Sequence, residues 1–539
     1  MSRKRAAVLA AVAMLAALVA WVPGAFGAQA SGFDTRFVDL PARDGVLLRT
    51  MVMEPKSPGP HPLAIVISAW GGGVTQNTVP AVNLANKGYT VLAYGTRGFG
   101  ESGGEVQVAG RQDLTDVSDV IDWGLANTES DPNRIGVAGV SYGAGIGVLA
   151  SGTDPRIKAV ASMSGWSDLV RSLSTENTRH SLTALVLHLS GKQNGRLSFE
   201  SDQMLAGIYD PNLTDAQDDA IKAWSQQRSP INRVAEINRN QPATLMIQTW
   251  SETVFEPGQM ADLYTQLTGP KRLEILPGDH AATESGGLLG LPSGVWNSVY
   301  RWFDAHVAGT DTAIAAEAPI QVVPRPGTNK AEPAGDWAAV QGQRQQKLYL
   351  GAKPAGMFGG DAQLLPSAPP AAWKTEVNAN KDTLANGGIP LATYSLEALS
   401  GNPPTAMLQV LDRSSGGMWN GPKAASAQKI RGYITAHLVV SPPKAQGTVV
   451  AYVYDVDRFG TGKLINYTPY TWRGATPGAP LPLDLRFTPT AYNLAAGHRL
   501  ALVVDSKDAL FIDKNTDGGK LGFLSSPADP SWIDVPFAG

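Results

Sequence analysis

Six short, unbroken apolar runs, separated by stretches long enough for helices, constrain this chain more than any other feature. They are Leu63–Ser68, Thr90–Tyr94, Ile135–Val140, Ala159–Met163, Thr244–Gln248 and Arg272–Leu276. A strand that faces water on one side alternates apolar and polar residues, whereas a strand buried on both faces reads as a continuous apolar run. Between these runs, Val79–Lys87 and Leu114–Ala126 carry helical periodicity. The pattern predicts an α/β domain over residues 31–310, with a parallel sheet covered on both faces.

One interval breaks the rhythm. Between Trp166 and Asn240 no strand is legible, but helix-like stretches such as Asp215–Trp224 occur. An insertion this long inside a compact domain is usually functional, so 166–240 is expected to be a helical cap. Ala313–Trp337 is rich in Ala, Pro and Gly and reads as a linker, placed at 311–340. Beyond it, Ile434–Val440, Val449–Asp455 and Arg499–Asp505 are β-branched and partly alternating, between Pro/Gly turns. That is the signature of a β-sandwich over 341–539. The 58 Gly and 38 Pro in 539 residues suit such a turn-rich half.

The N-terminus follows the order of a secretory signal: basic Arg3-Lys4-Arg5, an apolar run from Ala6 to Val22, then Pro23-Gly24 and Ala28-Gln29-Ala30. Cleavage after Ala30 is expected, leaving a secreted, extracytoplasmic protein without a later membrane span. The formal charge of −3 then falls by three bases to −6, with no basic stripe, so nucleic acid is not an expected partner. Cysteine is absent, which excludes disulfides, thiol catalysis and thiolate metal sites.

Within the α/β region, Gly139-Val140-Ser141-Tyr142-Gly143 follows a strand-like run and precedes a small-residue helix, Ala144–Ala150. A serine exposed on a tight strand-to-helix turn needs small neighbours, and the helix N-terminus offers free N–H groups to developing negative charge. Ser141 is therefore the candidate nucleophile. A serine hydroxyl is weak near neutral pH and needs a base oriented by an acid, in the chain order Ser, acid, His. Of seven histidines, His280, in Pro277-Gly-Asp-His280, lies just after a strand near the end of the α/β region. For the acid, Glu252 is the first choice, with Glu256 and Asp168 as rivals. The oxyanion donors are expected to be the backbone N–H of Tyr142 and that of Trp70, in Ser68-Ala-Trp70-Gly-Gly-Gly73. This chemistry needs no metal or organic cofactor. Asp513-Lys-Asn515-Thr-Asp517-Gly518 begins like a calcium loop, but its twelfth position is Leu524, so it reads as a turn. Asp455-Val-Asp457-Arg-Phe-Gly460 reads as a strand end and turn, and Gly98-Phe-Gly100 lacks a dinucleotide fingerprint.

Four stretches together resemble the Xaa-Pro dipeptidyl-peptidase and cocaine-esterase group of α/β-hydrolases. They are Thr96-Arg-Gly98-Phe-Gly100-Glu-Ser102-Gly-Gly104, the Ser141 elbow, Ile247–Pro257 around Glu252, and Pro277–His280. The region from Gly447 to Gly462 and from Pro489 to Asp505 is similar to the jelly-roll domain these enzymes carry after the hydrolase domain. The resemblance implies a serine hydrolase acting on a small ester or short peptide. Three departures stand out. The family usually has Asp at the position of Glu252 and Gly at that of Thr249. Where members often place a tyrosine hydroxyl in the oxyanion hole, this chain has Trp70, which implies a backbone-only hole.

An acyl esterase is the expected activity, with Trp166 either an apolar wall of the acyl pocket or a core residue. A dipeptidyl-peptidase is the alternative and would need an anionic anchor for the substrate amine, for which Asp168 and Glu176 are candidates. A non-catalytic surface- or carbohydrate-binding protein is the remote reading.

Overall fold

The computed structural model describes residues 32–327, 329–354, 361–387, 392–515 and 518–539. The leader-like segment at 1–30 lies outside the described residues. The described residues divide into two compact units, one of residues 32–172 and Thr183–Gln321, the other of Leu173–Leu182 and Val322–Gly539.

The first unit is built on β1 (Phe33–Pro41), β2 (Leu47–Pro55), β3 (His61–Ile67), β4 (Thr90–Tyr94), β5 (Ser130–Val140), β6 (Ile157–Met163), β7 (Ala243–Thr249) and β8 (Lys271–Leu276). Their order in the sheet is β1-β2-β4-β3-β5-β6-β7-β8. The six strands from β3 to β8 run parallel. The helices that matter below are α1 (Thr78–Asn86), α2 (Arg111–Asn127), α3 (Tyr142–Thr153), α4 (Ser181–Asn194), α5 (Phe199–Tyr209), α6 (Asp215–Gln226), α7 (Val234–Asn240), α8 (Gly258–Gln266) and α9 (Gly294–Phe303).

Every residue of β3 and β4 is buried, as continuous apolar runs require. Ala64 and Val66 pack into a cluster with Leu84 of α1 and Trp296 and Phe303 of α9. On the opposite face Leu63 touches α2 at Gly124, where an added Cβ would lie 3.3 Å from the Leu63 side chain. Each of the valine and leucine side chains among them, fully buried, contributes about 1.5–3 kcal/mol. The antiparallel hairpin β1–β2, paired from Phe33↔Pro55 to Pro41↔Leu47, extends the parallel sheet through β2–β4 pairing. No sequence signal announced it, because its strands mix charged and apolar residues and β1 is largely exposed.

The insertion at 166–240 is helical. It holds a short helix Leu169–Leu173, then α4 to α7, and a two-stranded hairpin at Ser174–Thr175 and Thr178–Arg179 that was not foreseen. Thr214 and Gln217 form a capping box on α6, which fixes its start. The stretch at 311–340 is more ordered than a linker. It contains a helix at Ala313–Ala316, a strand at Ile320–Val322 and another helix at Trp337–Val340. Ile314, Ile320 and Val322 are each no more than 2% exposed. These three apolar side chains outweigh the Ala/Pro/Gly composition that suggests a linker.

The second unit is β-rich. One run of paired strands comprises Trp373–Asn378, Lys520–Ser525, Gln428–Ser441, Trp532–Ala538 and Arg344–Leu350, with Leu481–Leu494 also on Gln428–Ser441. A second run comprises Ala362–Leu365, Gly416–Lys423, Arg499–Asp505, Gly447–Val456 and Thr461–Trp472. Leu438 and Val440 from the first and Val449, Ala451 and Val453 from the second share one core, as two packed sheets do. The calcium-like stretch acts as a turn in its described part. Asn515 donates its side-chain amide to Thr448 O and Ser506 O, at 2.7 and 2.6 Å, and Lys507 pairs with Asp513 at 3.1 Å. At the other suspected site, Asp457 accepts the N–H groups of Phe459 and Thr461, closing a turn.

Candidate active site

The loops that follow β3, β5, β7 and β8 all leave the carboxyl ends of parallel strands, where α/β sheets place their sites. Ser141 sits between β5 and α3 with φ 56° and ψ −111°, a conformation that costs an L-residue about 1–3 kcal/mol. Two glycines permit that turn. A Cβ at Gly139 would fall 2.3 Å from the Gly143 carbonyl carbon, and one at Gly143 would fall 2.5 Å from Ile67 O. Ser141 N–H donates to Met163 O at 2.8 Å, and Ser141 O accepts from Ala144 and Gly145, which anchors the elbow to β6 and starts the helix.

His280 stands between Ser141 and Glu252. Its Nε2 is 2.8 Å from Ser141 Oγ, and its Nδ1 is 2.8 Å from Glu252 Oε1. A carboxylate only accepts, so Nδ1 carries the proton and Nε2 is left to accept from the serine hydroxyl. Glu252 Oε1 also accepts Val254 N–H at 3.0 Å and Phe255 N–H at 3.2 Å. The two loops are tied by their backbones, Trp250 N–H to Leu276 O and Ser251 N–H to Gly278 O.

The neighbouring Asp279 was not singled out by sequence reasoning. Its Oδ1 accepts the N–H groups of His280 and Thr253, at 2.7 and 2.8 Å, and the Thr253 hydroxyl at 2.8 Å. Burial, reinforced by the Glu252 charge, pushes the Asp279 carboxyl up to about 7. A third buried carboxylate, Glu284, accepts the Ser164 hydroxyl at 2.7 Å, while Ser164 Oγ accepts Ala281 N–H at 3.1 Å. Burial raises the Glu284 carboxyl too. Burial disfavours a charged His280 ring, but Glu252, Asp279 and Glu284 together outweigh that effect and raise its pKa above the usual histidine value. The only sequence hint of this shell was Asp279, next to His280; Ser164 and Glu284 meet through the fold alone.

The rival acids are engaged elsewhere. Asp168 Oδ1 accepts Arg171 N–H at 3.1 Å, capping the short helix that follows it. Glu256 accepts Gly258 N–H at 2.8 Å at the start of α8 and pairs with Arg171. Glu176 lies in the Ser174–Arg179 hairpin, within the β-rich unit, and its carbonyl accepts Thr471 N–H. Trp166 is a core residue and not a pocket wall. It is 2% exposed, donates its indole N–H to Arg228 O at 2.8 Å and packs on α3 at Gly145. A Cβ at Gly145 would lie 2.3 Å from that ring, so the glycine makes the burial possible.

The N–H groups of Tyr142 and Trp70 have no protein acceptor among the described residues. Tyr142 is the first residue of α3, where orphan donors are expected. Its phenol donates to Asp113 Oδ2 and accepts Ala109 N–H, each at 3.0 Å, which fixes the start of the helix. Burial, with Asp116 nearby, pushes the Asp113 carboxyl up to about 7.

Residues 44–282 match the family described as X-Pro dipeptidyl-peptidase (S15 family), and that match encloses Ser141, Glu252 and His280. Residues 312–528 match the X-Pro dipeptidyl-peptidase C-terminal non-catalytic domain. The chain thus pairs an S15-like catalytic region with the C-terminal domain that goes with it, and it is a serine hydrolase. Among solved structures, an aminopeptidase from a marine sediment Thaumarchaeota archaeon is similar with TM-score 0.72 at 15% identity, over 96% of this chain and 99% of that one. An alpha-amino acid ester hydrolase is similar with TM-score 0.71 at 18% identity, over 96% and 98%. A CocE/NonD family hydrolase from Staphylococcus aureus follows with TM-score 0.67 at 14% identity, over 94% and 93%. At these identities the three share the fold of this chain. In sequence, the Escherichia coli protein YcjY is 37% identical over 124 residues, 20% of this chain and 40% of that protein. The chain thus spans about two fifths of the length of that relative.

Proposed function

We propose that this hydrolase is an acyl esterase in which Ser141, His280 and Glu252 act in relay. The observation that carries the reading is the pair of 2.8 Å contacts joining His280 to Ser141 and to Glu252. Ser141 Oγ attacks the ester carbonyl while its proton passes to His280 Nε2. Glu252 holds the ring in the required tautomer and stabilises the imidazolium. The N–H groups of Tyr142 and Trp70 stabilise the tetrahedral oxyanion. His280 then returns the proton to the departing alcohol, and water, activated by the same histidine, hydrolyses the acyl-enzyme.

The family match keeps a second reading, release of N-terminal dipeptides. That activity requires an anionic anchor for the substrate amine. Of the two candidate anchors, Asp168 caps the short helix that follows it and Glu176 lies in the Ser174–Arg179 hairpin of the β-rich unit, which favours the esterase. The test is hydrolysis of a short acyl nitrophenyl ester and of a Gly-Pro nitroanilide by the chain from Ser31 onward, with Ser141→Ala alongside. Ester turnover that disappears in Ser141→Ala supports the proposal, and efficient anilide cleavage replaces it with the peptidase. The N-terminal pattern further supports export, which N-terminal sequencing of protein recovered outside the cytoplasm would check by finding Ser31 first.

A further inference from the structure

We propose that Trp70 is a positioning residue through which the cap helix α4 sets the oxyanion-binding geometry. The inference rests on the reading of Ser141 as nucleophile and goes beyond the backbone role assigned to Trp70.

The loop after β3 uses its neighbouring donors internally. Ala69 N–H goes to Gln76 Oε1 at 2.7 Å and Gly72 N–H to Ala69 O at 2.9 Å, whereas Trp70 N–H stays available. What fixes the direction of that N–H is the Trp70 side chain, and the side chain belongs to the cap. Its indole N–H donates to Leu187 O at 3.0 Å and Ser190 Oγ at 3.2 Å, both on α4. Ser190 Oγ itself donates to Val186 O at 2.7 Å, so its lone pairs face the indole. The next residue of α4 is Gly191, where an added Cβ would lie 2.7 Å from the Trp70 ring. The cap helix therefore presents its one vacant Cβ position to this indole.

The same ring meets the other donor. It stands edge-on to Tyr142 at 5.2 Å and to Phe99 at 4.9 Å. One 6% exposed side chain thus touches the cap, carries one oxyanion donor on its own backbone and packs on the residue that carries the second. The segment after α4 adds a backbone seam, with Arg196 N–H donating to Gly98 O at 2.8 Å and Val106 N–H to Arg196 O at 2.7 Å. A shift of α4 on substrate entry is transmitted to the position of Trp70 N–H. Since an oxyanion donor acts on the transition state and not on the ground state, the effect falls on kcat rather than KM.

The experiment uses the full-length protein. A fluorophosphonate first counts reactive Ser141, and kcat per titrated site, KM for a nitrophenyl ester and the Ki of an alkyl trifluoromethyl ketone are then measured. Trp70→Phe keeps an aromatic ring and removes the indole N–H. It is expected to lower kcat per titrated site about tenfold and weaken the ketone by the same factor, with KM within twofold. Gly191→Ala, made on the cap side, is expected to reproduce this pattern, and Ser190→Ala, which leaves Leu187 O in place, to show a smaller version. If Trp70→Phe folds poorly, Ser190→Ala and Gly191→Ala decide alone. Unchanged kcat and Ki per titrated site, with only a lower melting temperature, would overturn the proposal and make the indole mere packing. A wild-type protein that neither hydrolyses the ester nor is labelled at Ser141 would instead overturn the nucleophile assignment beneath it.

Discussion

The two halves of the proposed catalytic relay are built differently. Ser141 belongs to a turn set by its five residues and the strands flanking it, since a Cβ at Gly139 would meet Gly143 and one at Gly143 would meet Ile67 O. The His280 half is assembled from three separate loops and held by buried carboxylates: Glu252 on the ring, Asp279 on the backbone, and Glu284 through Ser164 onto Ala281. A locally determined turn is rigid and indifferent to pH, whereas a site held by buried acids inherits their titration. The contrast teaches where this enzyme is brittle and where it is tunable.

Breaking the serine half has the largest expected effect. Ser141→Ala removes the proposed nucleophile and should lower kcat by about 10⁴-fold or more, with the pH optimum of any residual turnover lost. Steady-state hydrolysis of the nitrophenyl ester measures it. On the other half, Glu252→Gln keeps the shape but removes the charge that stabilises the imidazolium. A loss of about 10³–10⁴-fold in kcat is expected, while Asp168→Ala should stay within twofold. The reverse ranking would move the acid to Asp168 and break the comparison at its base.

This asymmetry also explains what could be read from sequence. The elbow was legible because its physics is local: strand, glycine, serine, glycine, helix. Strand β4 was legible to the residue because all five of its residues are buried. Glu252 and His280 were found by chain order and their place after strands. Asp279 had its place in the histidine motif but no role, since nothing in the sequence shows Thr253 folding back to donate to it. The β1–β2 hairpin escaped because one exposed strand destroys the apolar pattern. Trp166 was left between pocket and core because the deciding neighbour, Gly145, lies 21 positions earlier on another element.

The carboxylate shell can be probed by degrees. Asp279→Asn should reduce kcat about tenfold, since it loosens the His280 and Thr253 backbone, and should move the acid limb of kcat/KM to lower pH. The sign follows from the base. His280 must be neutral to accept the serine proton, and removing a nearby negative charge lowers its raised pKa, so activity appears at lower pH. Stability should respond too. The folded Asp279 carboxyl titrates at about 7, above its unfolded value of about 3.9, so the native state binds more protons across that window. Wild-type stability therefore falls from pH 4 to 7 relative to Asp279→Asn, which thermal melts at both pH values would show.

Glu284→Gln is the smallest and most discriminating change. The glutamine amide can still accept the Ser164 hydroxyl, so the chain from Ser164 to Ala281 survives while the charge is lost. If Glu284 acts on His280 only through its charge, kcat at the plateau should hold within about threefold and the acid limb should shift down by a few tenths of a pH unit. Glu284→Ala would lose the hydrogen bond as well and should lower the plateau further. Equal plateau losses in both variants, with no movement of the limb, would show that the shell on this side is scaffolding alone. The contrast between a rigid serine and a tunable histidine would then rest on Glu252 and Asp279.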